Sequence, residues 1–279
     1  MRFVTFDDFR PGLLREDEVV DLTPALGDIA RLPWDERIPT MVAEYDRLKP
    51  AIERRAREGK GIPIAEIHLR APNPRPPKIL SGMWNYNSEP GKTDYSFKSP
   101  ECVIGPGDAI ELPKAQASSF QPEPAVAFVI GRQAKNVSEA DALSYIFGYT
   151  GFIDVYGRDL GRPVGTYLAR SFDTFGPMGP CILTADEVPN PHALRVRLSV
   201  KGKVRQEYST SSLVNPVPAQ VATATAIMTL YPGDLVTCGT DENGLAPIQD
   251  GDNLHLDITG IGGLRVEVRD PLGRSWPRD

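Results

Sequence analysis

Apolar positions along the chain fall in short runs cut by turn residues, and only a few stretches repeat with a helical period. Arg2–Phe6 and Glu18–Leu22 read as strands on either side of a turn at Arg10-Pro-Gly12. Met41, Tyr45, Leu48 and Ile52 return on one helical face, which predicts a helix over Thr40–Gly59. Its run Glu53-Arg-Arg-Ala-Arg57 reads as a solvated face near the C-terminus, where positive charge meets the helix dipole favourably. Further on, Cys102–Ile104, Ala125–Ile130, Cys181–Thr184, Leu194–Val200, Leu235–Cys238, Leu254–Ile258 and Leu264–Val268 are predicted strands separated by Gly, Pro and Asn. Two helices interrupt them. One is capped by Ser138 through Asp141 and stops at Gly148; the other runs from Pro218 to Leu230, before Pro232-Gly233. Many strands and few helices do not make alternating βαβ units, so the expected class is β-rich α+β.

Composition sharpens this picture. The 279 residues include 27 prolines, about twice the average share of ~5%, spread along the whole chain. Such punctuation breaks helices and central strands and excludes a helical bundle. Ala71-Pro-Asn-Pro-Arg-Pro-Pro77 reads as a stiff connector between a small N-terminal α+β domain, residues 1–70, and a larger domain, residues 78–279. Lys and Arg total 31 against 37 Asp and Glu, a net charge of −6 that argues against a nucleic-acid partner, because phosphate affinity rests on excess positive charge. No apolar run reaches the ~20 residues of a membrane span. The start of the chain carries acids where a secretory signal needs a basic end, so a cytoplasmic protein is expected. Cys102, Cys181 and Cys238 are odd in number and far apart, which predicts free thiols.

No nucleophile elbow, phosphate loop or zinc helix is present. His68, His192 and His255 are the only imidazoles; His255 alternates outward on its strand, and the other two sit in turns. Glu123 precedes an apolar strand and Asp154 ends an uncharged stretch. An acid in such a setting must be paired or bound to a cation. Two readings stand: both acids satisfied by arginines such as Arg158 and Arg170, or a hard-cation site of oxygen ligands.

Several segments carry a resemblance in the same order and spacing. They are Gly82-Met-Trp-Asn-Tyr86, Lys98 with Ile104-Gly-Pro-Gly-Asp108, Glu123-Pro-Ala-Val-Ala-Phe-Val-Ile-Gly131, and Gly148-Tyr-Thr-Gly-Phe-Ile-Asp-Val-Tyr-Gly-Arg-Asp159. Arg170-Ser-Phe-Asp-Thr-Phe-Gly-Pro-Met-Gly-Pro180, Gly202 with Arg205-Gln206 and Thr210, and Pro232-Gly-Asp234 with Gly239-Thr240 follow. Across roughly residues 78–268 the chain resembles the fumarylacetoacetate hydrolase family. That resemblance implies a β-roll or sandwich C-terminal domain, usually a homodimer, with a magnesium or manganese site that chelates a 2-oxo acid or 1,3-dicarbonyl substrate. A His–Glu pair moves protons, and the reactions are carbon–carbon hydrolysis, decarboxylation or isomerisation through an enolate. It places Glu123 and Asp154 at the metal, Glu89, Lys98, Arg158 and Arg170 in catalytic slots, and Tyr86, Tyr156, Gln206 and Thr240 around the substrate.

The chain departs from the family pattern at its chemistry. The second metal-ligand Glu is Ala125, and Gln121, Glu123 and Ala125 share one strand face, so Gln121 is the only nearby substitute oxygen. Pro122 and Pro124 make this stretch an edge or a bulge. Glu89 stands in the histidine slot and Lys92 in the glutamate slot, either as a replacement acid–base pair or as a polar turn before Pro90-Gly91. The family lysine is Arg170, which keeps the charge but is a poor base; Lys98 is retained and is expected to hold a substrate carboxylate. Three functions follow: a family enzyme whose metal site is weakened or absent, an ordinary metal-dependent hydrolase or decarboxylase, or a non-catalytic binder of a small acid or a partner.

Overall fold

The computed structural model describes residues 1–89, 94–161 and 163–278. Among them are a twelve-stranded and a five-stranded sheet with few helices, the β-rich α+β class expected. Two long antiparallel strands, Ser119–Ile130 and Ile146–Arg158, run through the large sheet in continuous register from Ser119 opposite Arg158 to Val129 opposite Gly148. Gly176–Thr184 lies outside the second of these, and Arg2–Phe6 pairs with Gly176–Thr184, so the N-terminal strands continue the same sheet across the Ala71–Pro77 connector. On the other flank come Leu235–Thr237, then Ile79–Met83 parallel to it, and Asp94–Lys98 as the last strand of the path.

The smaller sheet covers one face. Leu254, Leu256 and Ile258 alternate inward from Asn253–Ile258, as do Leu264, Val266 and Val268 from Gly262–Arg269. Their contact with the large sheet is close: a Cβ on Gly151 would stand 2.6 Å from the Gly179 carbonyl oxygen and 3.2 Å from Leu256 Cδ2. Only a glycine fits there.

The prolines at 122 and 124 follow from which way each residue faces. Odd-numbered positions pair toward Ile146–Arg158, so Gln121, Glu123 and Ala125 stand opposite Tyr156, Asp154 and Phe152. Even-numbered positions face the other way, where pairing with Leu235–Thr237 starts only at Ala127. The proline nitrogens therefore interrupt no ladder. Carbonyls on that side are met individually: Phe120 accepts from the Ile248 N–H and Val126 from the Cys238 N–H, both at 2.8 Å, and Pro124 from the Tyr208 hydroxyl.

Four local expectations change. The helix over Thr40–Gly59 is two, Trp34–Ala43 and Tyr45–Glu58, bent at Glu44 with Pro39 and Pro50 inside. Arg10-Pro-Gly12 is part of a strand, Arg10–Arg15, and the chain reverses earlier at Asp7–Phe9, where Asp7 and Phe9 take positive φ. The Ser138–Gly148 helix is only a 3-10 turn, Ala142–Tyr145; Ser138 and Asp141 close that turn by a 2.7 Å hydrogen bond, and from Ile146 the chain enters the sheet. The second helix spans Val217–Ile227. All three cysteines are buried and free.

Candidate active site

The continuous register sets Glu123 directly across from Asp154 on neighbouring strands, with both carboxylates buried. Like charges in such a pair repel, and burial denies them water. Two cations answer this. The five-residue helix Thr166–Arg170 ends by placing Arg170 over the pair. Its NH1 lies 2.8 Å from Glu123 Oε2 and 2.9 Å from Asp154 Oδ2, and its NH2 lies 3.2 Å from Glu123 Oε1. Beneath, Lys98 donates to Asp154 Oδ1 at 2.9 Å, to the Val155 carbonyl at 3.2 Å and to the Arg170 carbonyl. Of the two readings of Glu123 and Asp154, the geometry is the arginine-paired one.

The carboxylates titrate in opposite directions. Burial pushes Asp154 up, but Arg170 and Lys98 beside it hold it below the ordinary aspartate value. Burial also pushes Glu123 up; its share of Arg170 does not offset that, and it stays raised. Arg170 is itself held more firmly protonated: burial works against its charge, and the two carboxylates outweigh burial.

Above this ion cluster opens a cleft of about 110 Å³. Glu123, Tyr156, Arg158, Arg170 and Thr240, all singled out in the sequence, line it together with Gly82, Met83, Trp84, Thr166 and Glu242. Tyr156 sits between two guanidinium groups, 4.5 Å from Arg158 and 4.6 Å from Arg170. Arg158 donates to Gln121 Oε1 at 2.7 Å, approaches Glu123 to 4.0 Å and keeps 38% of its side chain exposed. Two carboxylates meet three cations here, and the surplus positive charge is on Arg158, the member open to solvent.

Other expected site residues lie elsewhere. Lys98 is not a ligand for a substrate carboxylate, because all three of its donors are engaged inside the protein. Tyr86 and Gln206 stand outside the cleft lining: Tyr86 packs edge-on to Tyr208 at 4.9 Å, and Gln206 donates to the Asp241 carbonyl at 2.7 Å. Glu89 is exposed and is not among the lining residues. Lys92, with Pro90-Gly91, lies outside the described residues. Among the described residues no histidine lines the cleft. His192 Nε2 accepts the Val217 N–H at the start of the Val217–Ile227 helix, and His68 faces Asp108 at 3.2 Å. Trp84 and Met83 were present within the Gly82–Tyr86 segment and Glu242 just after Thr240, but nothing in the spacing marked them. Thr166 had only its position one helical turn before Arg170 as a signal.

These residues do not fit a resident divalent cation. Magnesium and calcium take six or more oxygens. Here Glu123 and Asp154 already share Arg170 NH1, Ala125 offers a methyl group in the third position, and the Gln121 oxygen is taken by Arg158. No group of three or more His, Cys, Asp and Glu suited to a metal occurs among the described residues.

Residues 81–269 match the family described as fumarylacetoacetate (FAA) hydrolase C-terminal. The chain belongs to this family. Its relatives include named enzymes: a maleylpyruvate hydrolase of Aquipseudomonas alcaligenes is 29% identical over 96% of this chain and 99% of its own length. An oxaloacetate tautomerase of Bacillus subtilis is 29% identical over 96% of this chain and 100% of its own. Among solved structures, a maleylpyruvate hydrolase from Sphingobium sp. SYK-6, in complex with manganese(II) and pyruvate, superposes with a TM-score of 0.89 at 33% identity, covering 97% of this chain and 99% of that one. The family fold is thus retained over a site whose charges pair with one another.

Arg170→Met leaves two buried carboxylates facing each other, and the loss expected is about 3–5 kcal/mol of stability, read by chemical denaturation; a loss below ~1 kcal/mol would contradict the buried-pair geometry. Because Asp154 is depressed, its contribution is complete above the ordinary aspartate pKa of about 3.9 and disappears as pH falls through the lower folded value. Asp154→Asn is therefore expected to flatten the acid side of the stability–pH curve.

Proposed function

We propose that this protein catalyses isomerisation of a small 2-oxo or 1,3-dicarbonyl acid through an enolate, using guanidinium charge where the family resemblance implies a metal. The supporting observation is the position of Arg170: it lines the cleft and bridges Glu123 and Asp154. Arg158 receives the substrate carboxylate with its surplus charge. The fixed Arg170 dipole then stabilises the oxyanion as the proton leaves carbon.

Isomerisation asks least of these residues. Carbon–carbon hydrolysis needs an activated water, and among the described residues no imidazole lines the cleft to generate one. A keto–enol shift needs one group that takes a proton and returns it. Glu242 lines the cleft and is exposed, and we assign that role to it in place of Glu89. Magnesium or manganese, on this reading, is bound weakly or not at all.

The protein is also proposed to be a homodimer. The edge strand Asp94–Lys98 and the neighbouring Phe97, Tyr167 and Leu168, all exposed in the single chain, give a second copy a sheet edge and an apolar surface to cover. Light scattering is expected to report twice the 30.6 kDa chain mass; a monomer mass at micromolar concentration would refute this.

The activity is tested by NMR of hydrogen–deuterium exchange next to the carbonyl in a panel of 2-oxo acids, with chelator-treated protein. Exchange above buffer, unchanged by chelator and strongly reduced by Arg158→Met, is expected. Glu242→Gln is expected to slow it by about 10²–10⁴-fold, and Glu89→Gln to leave it unaltered. Exchange that appears only after manganese is added would overturn the proposal.

A further inference from the structure

The segment after the last strand, residues 271–278, has neither helix nor strand, and it lies beyond residues 81–269, the stretch that matches the family. It is nonetheless fixed to the protein along its length. Arg274 donates to both carboxylate oxygens of Asp270 at 2.9 Å, to the Ala115 carbonyl at 2.7 Å and to the Pro113 carbonyl at 2.8 Å. The Trp276 N–H donates to Gln249 Oε1 at 3.2 Å, Arg278 donates to Asp252, and the Arg278 carbonyl accepts from Arg205 at 3.3 Å. An irregular segment loses conformational entropy when it is ordered in this way. What the order holds in place is the Trp276 indole, half-buried against Phe120.

Trp276 ends a row of aromatic rings that leads to the ion cluster. It meets Phe120 edge-on with centroids 5.7 Å apart, Phe120 meets Phe175 edge-on at 5.7 Å, and Phe175 meets Phe172 at 5.2 Å. Edge-to-face contact is an arrangement that aromatic quadrupoles favour, and the Arg274 guanidinium lies over the Phe120 ring at 5.1 Å. Phe120 is fully buried and immediately precedes Gln121, the acceptor for Arg158; its own carbonyl accepts from Ile248 at 2.8 Å. The Phe175 carbonyl accepts from the Val155 N–H at 3.0 Å, next to Asp154, and Phe172 follows Arg170 by two residues. The strand bearing Glu123, the strand bearing Asp154 and the segment bearing Arg170 thus meet at the Phe120–Phe175 pair. We propose that Trp276 is a positioning residue for the site: it holds Phe120 from outside, and through Phe120 it sets Gln121 against Arg158 at the cleft. This role is independent of the reaction catalysed.

The test is NMR of the wild type, Trp276→Ala, Trp276→Leu, Trp276→Phe and Leu272→Ala, reading amide hydrogen exchange and the Arg158 Nε–H signal. Trp276→Ala is expected to raise exchange at the Ile248 and Val155 amides by about tenfold, the scale of one aromatic edge contact, and to open the Arg158 Nε–H to exchange with water. Trp276→Leu, which keeps apolar bulk without the ring, is expected to do the same and gives the reading should Trp276→Ala fail to fold. The amides of Arg2–Phe6, remote in sequence from the aromatic row, are expected to keep their protection. Trp276→Phe is expected to restore the wild-type pattern, and Leu272→Ala, a change at an exposed position of the same segment, to leave it unaltered. Faster exchange confined to residues 271–278, or a rise shared equally by Arg2–Phe6, would overturn the proposal. So would an Arg158 Nε–H signal that neither Trp276→Ala nor Trp276→Leu moves.

Discussion

The bridge from Arg170 to Glu123 and Asp154 is the contact around which the site is built. Two carboxylates opposite each other on adjacent buried strands are an arrangement that a fold avoids unless a cation lies between them. The guanidinium supplies that cation in one flat group, with one nitrogen within hydrogen-bond distance of both acids and a second on Glu123. A lysine in the same slot would offer a point charge without the fork. Lys98 closes the cluster from below and ties the end of the edge strand to the strand carrying Asp154. Ala125 adds no charge to that face, so Arg170 and Lys98 meet only the two carboxylates.

Other features of the fold serve this register. The prolines flanking Glu123 point their nitrogens away from Ile146–Arg158, so the acid can sit in an unbroken ladder beside residues that cannot donate. The carbonyl this leaves outside the ladder at Pro124 is capped by Tyr208, which packs on Tyr86 and so connects the small sheet to the segment bearing Trp84. The strand pairing that holds the acids thus also positions the wall of the cleft.

The sequence was most readable where one face of an element was solvated. Leu254–Ile258 and Leu264–Val268 alternate cleanly because the small sheet buries only one side, and their predicted bounds fall within a few residues of the strands. Ile146–Arg158 is buried along nearly its whole length, so it shows no alternation, and the Ser138–Asp141 cap signal drew its first residues into a helix. Two-residue spacing placed Gln121, Glu123 and Ala125 correctly on one face. The inward turn of Lys98, the exposure of Glu89 and the placement of Glu242 and Trp84 depend on how distant segments meet, and no local pattern encodes that.

The central claim is that an internal guanidinium holds the place between Glu123 and Asp154. It is tested most directly by a crystal structure determined in excess manganese, with an anomalous difference map calculated at the metal edge. The account predicts no anomalous peak between the two carboxylates, with Arg170 within hydrogen-bond distance of both. A peak there, with Arg170 displaced toward the cleft, would contradict it.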